Sequence, residues 1–400
     1  MDKLYFNNNL ISFQLCLNEF AETLQLTAKP QAHKIIEDIK NGYAGAHPEL
    51  YNEYCSNLKK AVARVFQNSE YGDRFFDLRA QFEANAARFS AYKAYHATQQ
   101  INAKRADKNG VERSFEAYQK EAQKVISAFN RYQVAEHNTA VARCRTAKQW
   151  QEFTGDKTGN EIFPYIMWLP SRSVTRREEH IVFYNKYWPK DSPFWNQNQP
   201  GNLWNCKCDW QETDGSDGTP GEDTWKQVNH KGLEGNPAQT GEIFSDKATY
   251  FTQVNARQRS EIEKEHRHFS KEEWKSKLSQ FYEKTAKVEI ENKPAKVGFD
   301  KYGLRHYLQD LCGDNFVLKN NLIPHLDKII ESGTLVAHEA NTMYESKKAN
   351  PYKRKIIEFF YFKVTLPNKK NAFISVSKFS DSDYRLYAIS SNLRKTAGLY

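Results

Sequence analysis

Two long stretches of helical periodicity decide what the first part of this chain can become. "DRFFDLRAQFEANAARFSAYKAYHATQQINAKRA" and "VERSFEAYQKEAQKVISAFNRYQVAEHNTAVARCRTAKQW" place apolar residues three or four apart, with Ala, Gln, Lys, Arg and Glu between them. "LISFQLCLNEFAETLQL" does the same over a shorter span, and Pro30, "NGYAGAHPE" and "DKNG" punctuate the series. Residues 1–150 are therefore expected to form a helical N-terminal region. Phe75, Phe76, Phe82, Phe89 and Tyr92 make an aromatic stripe that fits the core of a helix bundle.

Beyond 150 the periodicity stops. Pro164, Pro170, Pro189, Pro193 and Pro200 cut an aromatic-rich stretch into short pieces, which predicts a small, loop-rich unit held by side-chain packing. "QETDGSDGTPGED" and "HKGLEGNPAQTGEIFSD" read as a loop or linker, with a domain boundary within or just after it. Helix returns over 248–286, where Ser270 offers an N-cap and Glu273 the matching capping-box position. From about 287, "GFDKYGLRHYLQDLC" and "NLIPHLDKIIESG" read as helices. "TLVAHEANT", "KIIEFFYFKVTL", "AFISVSKFS" and "YRLYAISS" then read as a four-stranded antiparallel meander. The expected class is multidomain α+β. Its expected parts are 1–150, a module over 151–247, connecting helices over 248–286, and helices packed on a four-stranded sheet over 287–400.

Bulk properties narrow the setting. A chain of 400 residues suggests two or three domains, and 25 Phe, 22 Tyr and 8 Trp supply several cores despite an apolar content of 39%. No window approaches the roughly 18 apolar residues of a membrane span, and the first residues lack a basic region leading into an apolar run. Neither a membrane partner nor a secretory signal is expected. Six cysteines, scattered apart from one close pair, suit a reducing compartment better than a disulfide framework. The net charge is +9, and residues 286–400 carry 19 Lys and Arg against 12 Asp and Glu, an excess of +7. That imbalance points to an acidic partner for this end, nucleic acid first.

The close pair is Cys206-x-Cys208, set among Trp195, Trp204 and Trp210. Chemistry alone leaves three readings open: packing, a redox pair, and a metal site with His180 as third ligand and Asp209 or Asp191 as a poor fourth. The surroundings add a resemblance. Arg176 or Arg177 precedes His180. Asp191, Pro193, Phe194 and Trp195 follow, and a Pro-Gly then leads into Trp204, Asn205, Cys206, Lys207 and Cys208. With "GLEGNPAQTGEIFS" downstream, the stretch from about 130 to 250 resembles the family of phage Mu head protein F, minor capsid or head morphogenesis proteins of tailed phages and prophages. Relatives often carry Arg between the cysteines, where this chain has Lys207.

The resemblance implies virion assembly, with a few copies bound to the portal or other head proteins, in the particle or the host bacterial cytoplasm. It also implies that the Arg, His180, Cys206 and Cys208 tie the small unit together, with or without a structural zinc. No other cofactor is expected. The three tryptophans are expected to supply the core of a module without disulfides.

The basic tail resembles, by topology and a Gly303-x-x-His306 start, the nucleases grouped with barnase, EndoU, colicins E-five and D, and RelE. Strand alternation adds a reading of its own. Phe360, Phe362, Val364 and Leu366 share one apolar face, and Lys363, Ser375, Ser377, Arg385 and Tyr387 are expected together on the other. Metal-independent RNA cleavage needs a base, an acid and cationic groups on the phosphorane. The candidates are His306 as base or acid, Lys363 and Arg385 on the phosphate, and Tyr387 and Ser377 as positioning donors. His325 and His338 are expected to be structural. Two other classes stay in view: a purely structural head protein whose tail binds DNA or the portal, and a different fused effector such as an ADP-ribosyltransferase. The tail has no glutamate after Glu358, which argues against the transferase.

Overall fold

The computed structural model describes residues 29–67, 69–155, 162–171, 173, 176, 178–393 and 398–399. The helix expected over "LISFQLCLNEFAETLQL", Cys16 and Arg177 lie outside them. Helices α1 (Lys29–Lys40), α2 (Pro48–Val65), α3 (Phe76–Asn102) and α4 (Phe115–Gly155) form the expected bundle. Phe82, Phe89 and Tyr92 of the stripe are buried in its core. Two features fix where α2 begins. Pro48 sits in its first turn, and the His47 ring accepts from the Glu49 N–H.

Strands β1 (Tyr165–Leu169), β2 (Lys186–Pro189), β3 (Asp209–Thr213) and β4 (Thr219–Pro220) make a small sheet in the order β3-β1-β2-β4. Its core holds five of the chain's eight tryptophans, Trp150, Trp168, Trp188, Trp195 and Trp210, with Phe183 and Phe194. Each such ring takes about 150–250 Å² out of water. Two of the buried indole N–H groups have close acceptors: Trp195 donates to the Pro189 carbonyl at 3.0 Å and Trp210 to Gln149 Oε1 at 3.1 Å. Trp204 departs from this group and packs on the helical core, 5.8 Å ring to ring from Phe244.

The second half of the Gly-rich stretch read as a loop or linker, from Gly232 onward, is packed on the bundle, whereas residues 214–231 are exposed or half-buried. Leu233, Ile243, Phe244, Ala248 and Phe251 are buried in the bundle core. The side-chain oxygen of Asn85 on α3 accepts from the Ile243 and Phe244 N–H groups. Arg143 of α4, fully buried, donates to Asn202 and to the carbonyls of Leu233, Glu234 and Gly235. Burial lowers its guanidinium to about 10, so every one of these acceptors matters. The turn at Gly201 (φ +96°) lies on this arginine, and a Cβ there would come within 3.1 Å of its side chain.

Helix α5 (Ala256–Lys275) begins earlier than Ser270 implied. Asn255 and Gln258 form the capping box, and Ser270 is buried mid-helix, accepting from Asn320 Nδ2 at 3.1 Å. The C-terminal sheet is wider than four strands. Strands β7 (Thr334–Ala340), β8 (Ile356–Thr365), β9 (Asn371–Phe379) and β10 (Tyr384–Ser390) form the expected antiparallel meander. A hairpin of β5 (Thr285–Ile290) and β6 (Lys293–Gly298) adds to β10, and β11 (Gly398–Leu399) to β7, giving the order β11-β7-β8-β9-β10-β6-β5. Helices α6 (Lys301–Gln309), α7 (Phe316–Asn321) and α8 (Leu326–Glu331) cover the face carrying Phe360, Phe362 and Val364, as strand alternation required. No helix among the described residues is long and apolar enough to cross a membrane.

Candidate functional sites

The first site forms where β6 gives way to a helix beside β10. The two strands pair in parallel at only two positions, Tyr384↔Val297 and Arg385↔Gly298. The chain then turns at Asp300, which caps α6 by accepting from the Gly303 N–H at 2.7 Å. Helix α6 runs along the rest of β10 so closely that a Cβ on residue 303 would lie 1.9 Å from the Leu386 carbonyl oxygen. That contact is the reason for glycine in Gly303-x-x-His306. Opposite it, β10 bulges between Leu386 and Ala388, and the bulge aims Tyr387.

His306 lies in the last turn of α6, its ring 4.7 Å from that of Tyr387 and partly exposed. Asp310 sits one turn on. One carboxylate oxygen accepts from the Ile389 N–H at 2.8 Å, and the other lies 3.2 Å from His306 Nδ1. A carboxylate anchored this way on the backbone fixes the ring through Nδ1 and favours the tautomer in which Nδ1 donates. Tyr302 stacks on Tyr352 at 3.7 Å and borders the same rings. The Tyr352 hydroxyl donates to Asp300 at 2.8 Å, and burial followed by that carboxylate raises its pKa far above the usual tyrosine range. It acts as a donor and not as a base.

The other expected residues are placed as follows. Ser375 and Ser377 do lie on the face with Phe359 and Tyr361, yet both are buried. Their hydroxyls donate to the Ala388 and Arg385 carbonyls at 3.4 and 3.1 Å, across the bulge. Tyr387 is buried too, so this face is a second small core and not the open surface expected from alternation. Arg385 lies over the Phe379 ring at 4.4 Å and pairs with Asp383 at 3.1 Å and with Asp300 and Asp381 at 3.6 Å each. Three carboxylates offset its charge. Lys363 is exposed, four residues along β8 from Phe359, or roughly 13 Å. The structure thus groups His306 with Tyr387, sets Ser377 and Arg385 in the next row, and leaves Lys363 apart. Asp310, Tyr302 and Tyr352 were missed, although the four-residue step from His306 to Asp310 on one helix face is visible in the sequence.

The second site lies in the aromatic module. His180, in the turn Glu178–Ile181, is fully buried against Trp168, ring centroids 4.8 Å apart. Its Nδ1 is 3.4 Å from Cys206 Sγ and 3.6 Å from Cys208 Sγ. The three donor atoms lie within 4.8 Å of one another, a group that could hold a metal ion. The cysteines come together because the residues flanking Lys207 point to one side of an extended chain entering β3. Donation from Cys206 brings Cys208 down to about 5, with His180 assisting, while the Cys206 thiol is pushed up by the same contact and by burial. Neither acidic candidate joins them. Asp209 accepts from Gln149 Nε2 and from the Trp210 N–H, and Asp191 is exposed. Arg176 is exposed as well.

Comparison with known proteins bears on the first site. Residues 270–387 match the family model described as large polyvalent protein-associated domain 3. The matched segment runs from the end of α5 to Tyr387 and includes His306, Asp310 and Arg385. No curated protein and no solved structure matches the chain. What the match fits is a phage-associated protein with an α+β domain of this kind at its C-terminal end.

Proposed function

We propose that the chain is a head-associated protein of a tailed phage or prophage whose C-terminal domain cleaves RNA without a metal. The observation that carries this reading is the partly exposed His306 paired with Asp310 and packed against the buried Tyr387 ring. His306 Nε2 would take the proton of a ribose 2′-hydroxyl as that oxygen bonds to phosphorus; the P–O5′ bond breaks, the 5′-oxygen takes a proton from water, and the imidazolium is stabilised by Asp310. Tyr302 and Tyr352 offer rings for base stacking. The loop that supplies Tyr352 also carries Lys347, Lys348, Lys353 and Lys355, cations suited to phosphates. In this reading they take the role expected of Lys363 and Arg385. The head-associated part of the proposal rests on the sequence resemblance over 130–250 and on the match of the C-terminal segment to a domain of large polyvalent proteins.

The test uses the full chain with single-stranded RNA and a chelator. Cleavage that falls by about a hundredfold or more in His306→Ala supports the proposal. Salt-sensitive binding to RNA and DNA alike, with no turnover, would favour the purely structural reading in which the basic loop holds packaged DNA.

A further inference from the structure

We propose that His180, Cys206 and Cys208 bind one structural zinc ion. The geometric argument comes first. In a tetrahedral zinc site with Zn–N near 2.0 Å and Zn–S near 2.3 Å, the edge from nitrogen to sulfur is about 3.5 Å. The two edges here, from His180 Nδ1 to Cys206 Sγ and to Cys208 Sγ, are 3.4 and 3.6 Å. A thiol hydrogen bond can account for one such length, but Nδ1 has a single lone pair, and one ion between the three donors accounts for both edges at once.

The energetic argument is independent. His180 is completely buried in an aromatic core, where an imidazole is costly unless its nitrogens are well bonded. The polar contacts of its Nδ1 are to two sulfurs, which are weak hydrogen-bonding groups. Ligation replaces those weak contacts by strong ones. Two thiolates and one neutral imidazole form a soft donor set that suits zinc and is poor for magnesium or calcium. Binding displaces the remaining thiol protons to solvent, so the site carries two sulfur anions against the doubly charged cation.

The fourth position falls to water or the Tyr184 hydroxyl, which lies 3.7 Å from Cys208 Sγ. A redox role fits less well, since a dithiol pair usually has two intervening residues and needs access for its partner. Zinc would join the turn after β1 to the chain entering β3, and β1 and β3 are already paired from Tyr165↔Thr213 to Leu169↔Asp209. The ion would thus close a loop that hydrogen bonding leaves open at one end.

The experiment is metal analysis of the untagged full chain after incubation with zinc and desalting. About one zinc per chain is expected. His180→Ala and Cys208→Ser should lose at least nine tenths of it, and Cys55→Ser none. Because the first two variants could unfold, a second measurement uses the wild-type chain alone. Zinc is removed with chelator and cobalt(II) is added, and the visible bands of tetrahedral cobalt with sulfur-to-cobalt charge transfer should appear. No zinc and no such bands would overturn the proposal. So would an intact mass two hydrogens light that reductant restores, because the cysteines would then be paired with each other.

Discussion

The aromatic module and the C-terminal sheet both use tight backbone approaches, but to opposite ends. In the module the polar groups turn inward. His180 and Cys206 are buried, with the Trp168 and Phe183 rings against His180, and Arg143 of α4 is buried where the bundle meets the following segment. In the C-terminal domain the close approach of α6 to β10 sets His306 at a rim, with its carboxylate partner behind it. The difference separates a fastener from a working surface. Buried polar groups with fixed partners hold elements together, whereas a partly exposed histidine on an anchored carboxylate can meet a ligand.

The largest expected effect probes the fastener. Arg143→Ala removes the donors for the carbonyls of Leu233, Glu234 and Gly235 and should cost about 3–5 kcal/mol in chemical denaturation. Tryptophan fluorescence should report it, since five of eight tryptophans lie in the adjoining core. An unchanged midpoint would mean that the middle segment is held by its rings alone. Gly303→Ala probes the working surface. It should cost about 2–3 kcal/mol by forcing α6 off the Leu386 carbonyl, and it should lower RNA turnover more than it disturbs tryptophan emission. Equal loss in both signals would show that the two regions unfold together.

Acid tests the bundle that lies between them. Burial raises the carboxyl of Glu263, but His266 and Arg88 outweigh it and pull the group down from 4.5 to about 2. A depressed carboxyl stabilises above its unfolded value, and that contribution is lost as pH falls from about 4.5 towards 2. Glu263→Gln should therefore be about 2 kcal/mol less stable than wild type at neutral pH and no less stable near pH 2, in urea titrations at each pH. A constant gap across that range would remove the ion-pair explanation. The smallest stability effect belongs to His306→Ala, within about 0.5–1 kcal/mol, because its ring is partly exposed and its carboxylate keeps the Ile389 N–H. A large drop in melting temperature would make His306 a structural residue.

Much of this architecture was legible because it repeats. Helices α3 and α4 and strands β7 to β10 carry long periodic patterns, and the two faces of β8 follow from alternation. The β5–β6 hairpin had no such signal. "TAKVEI" and "KPAKVG" are short and charged, and the turn between them uses Glu291 and Asn292, both at positive φ, instead of the usual Asn-Gly. Ser270 and Glu273 show the other failure, since the spacing of a capping box also occurs inside a helix. At the candidate sites, alternation placed Tyr387, Ser377 and Arg385 on one face, but it could not show the three carboxylates around Arg385. Nor could it reveal the bulge. Of the three carboxylates, Asp381 and Asp383 are close to Arg385 in the sequence, whereas Asp300 is brought to it by folding.

Phe76 and Ala80 belong to α3, yet they are buried in the C-terminal core, where the Phe76 ring meets His325 at 4.9 Å. Nearby, Tyr71 and Ser332 share a hydrogen bond at 2.6 Å, and Gln81 donates to the Pro367 carbonyl. Cutting the chain just before β5 would leave a phenyl-sized hole on one piece and the ring that fills it on the other. Fragments with such matched surfaces tend to find each other again, so two separately produced halves should reassemble when mixed. The C-terminal domain is built to stay with the helical bundle after the peptide bond joining them is gone.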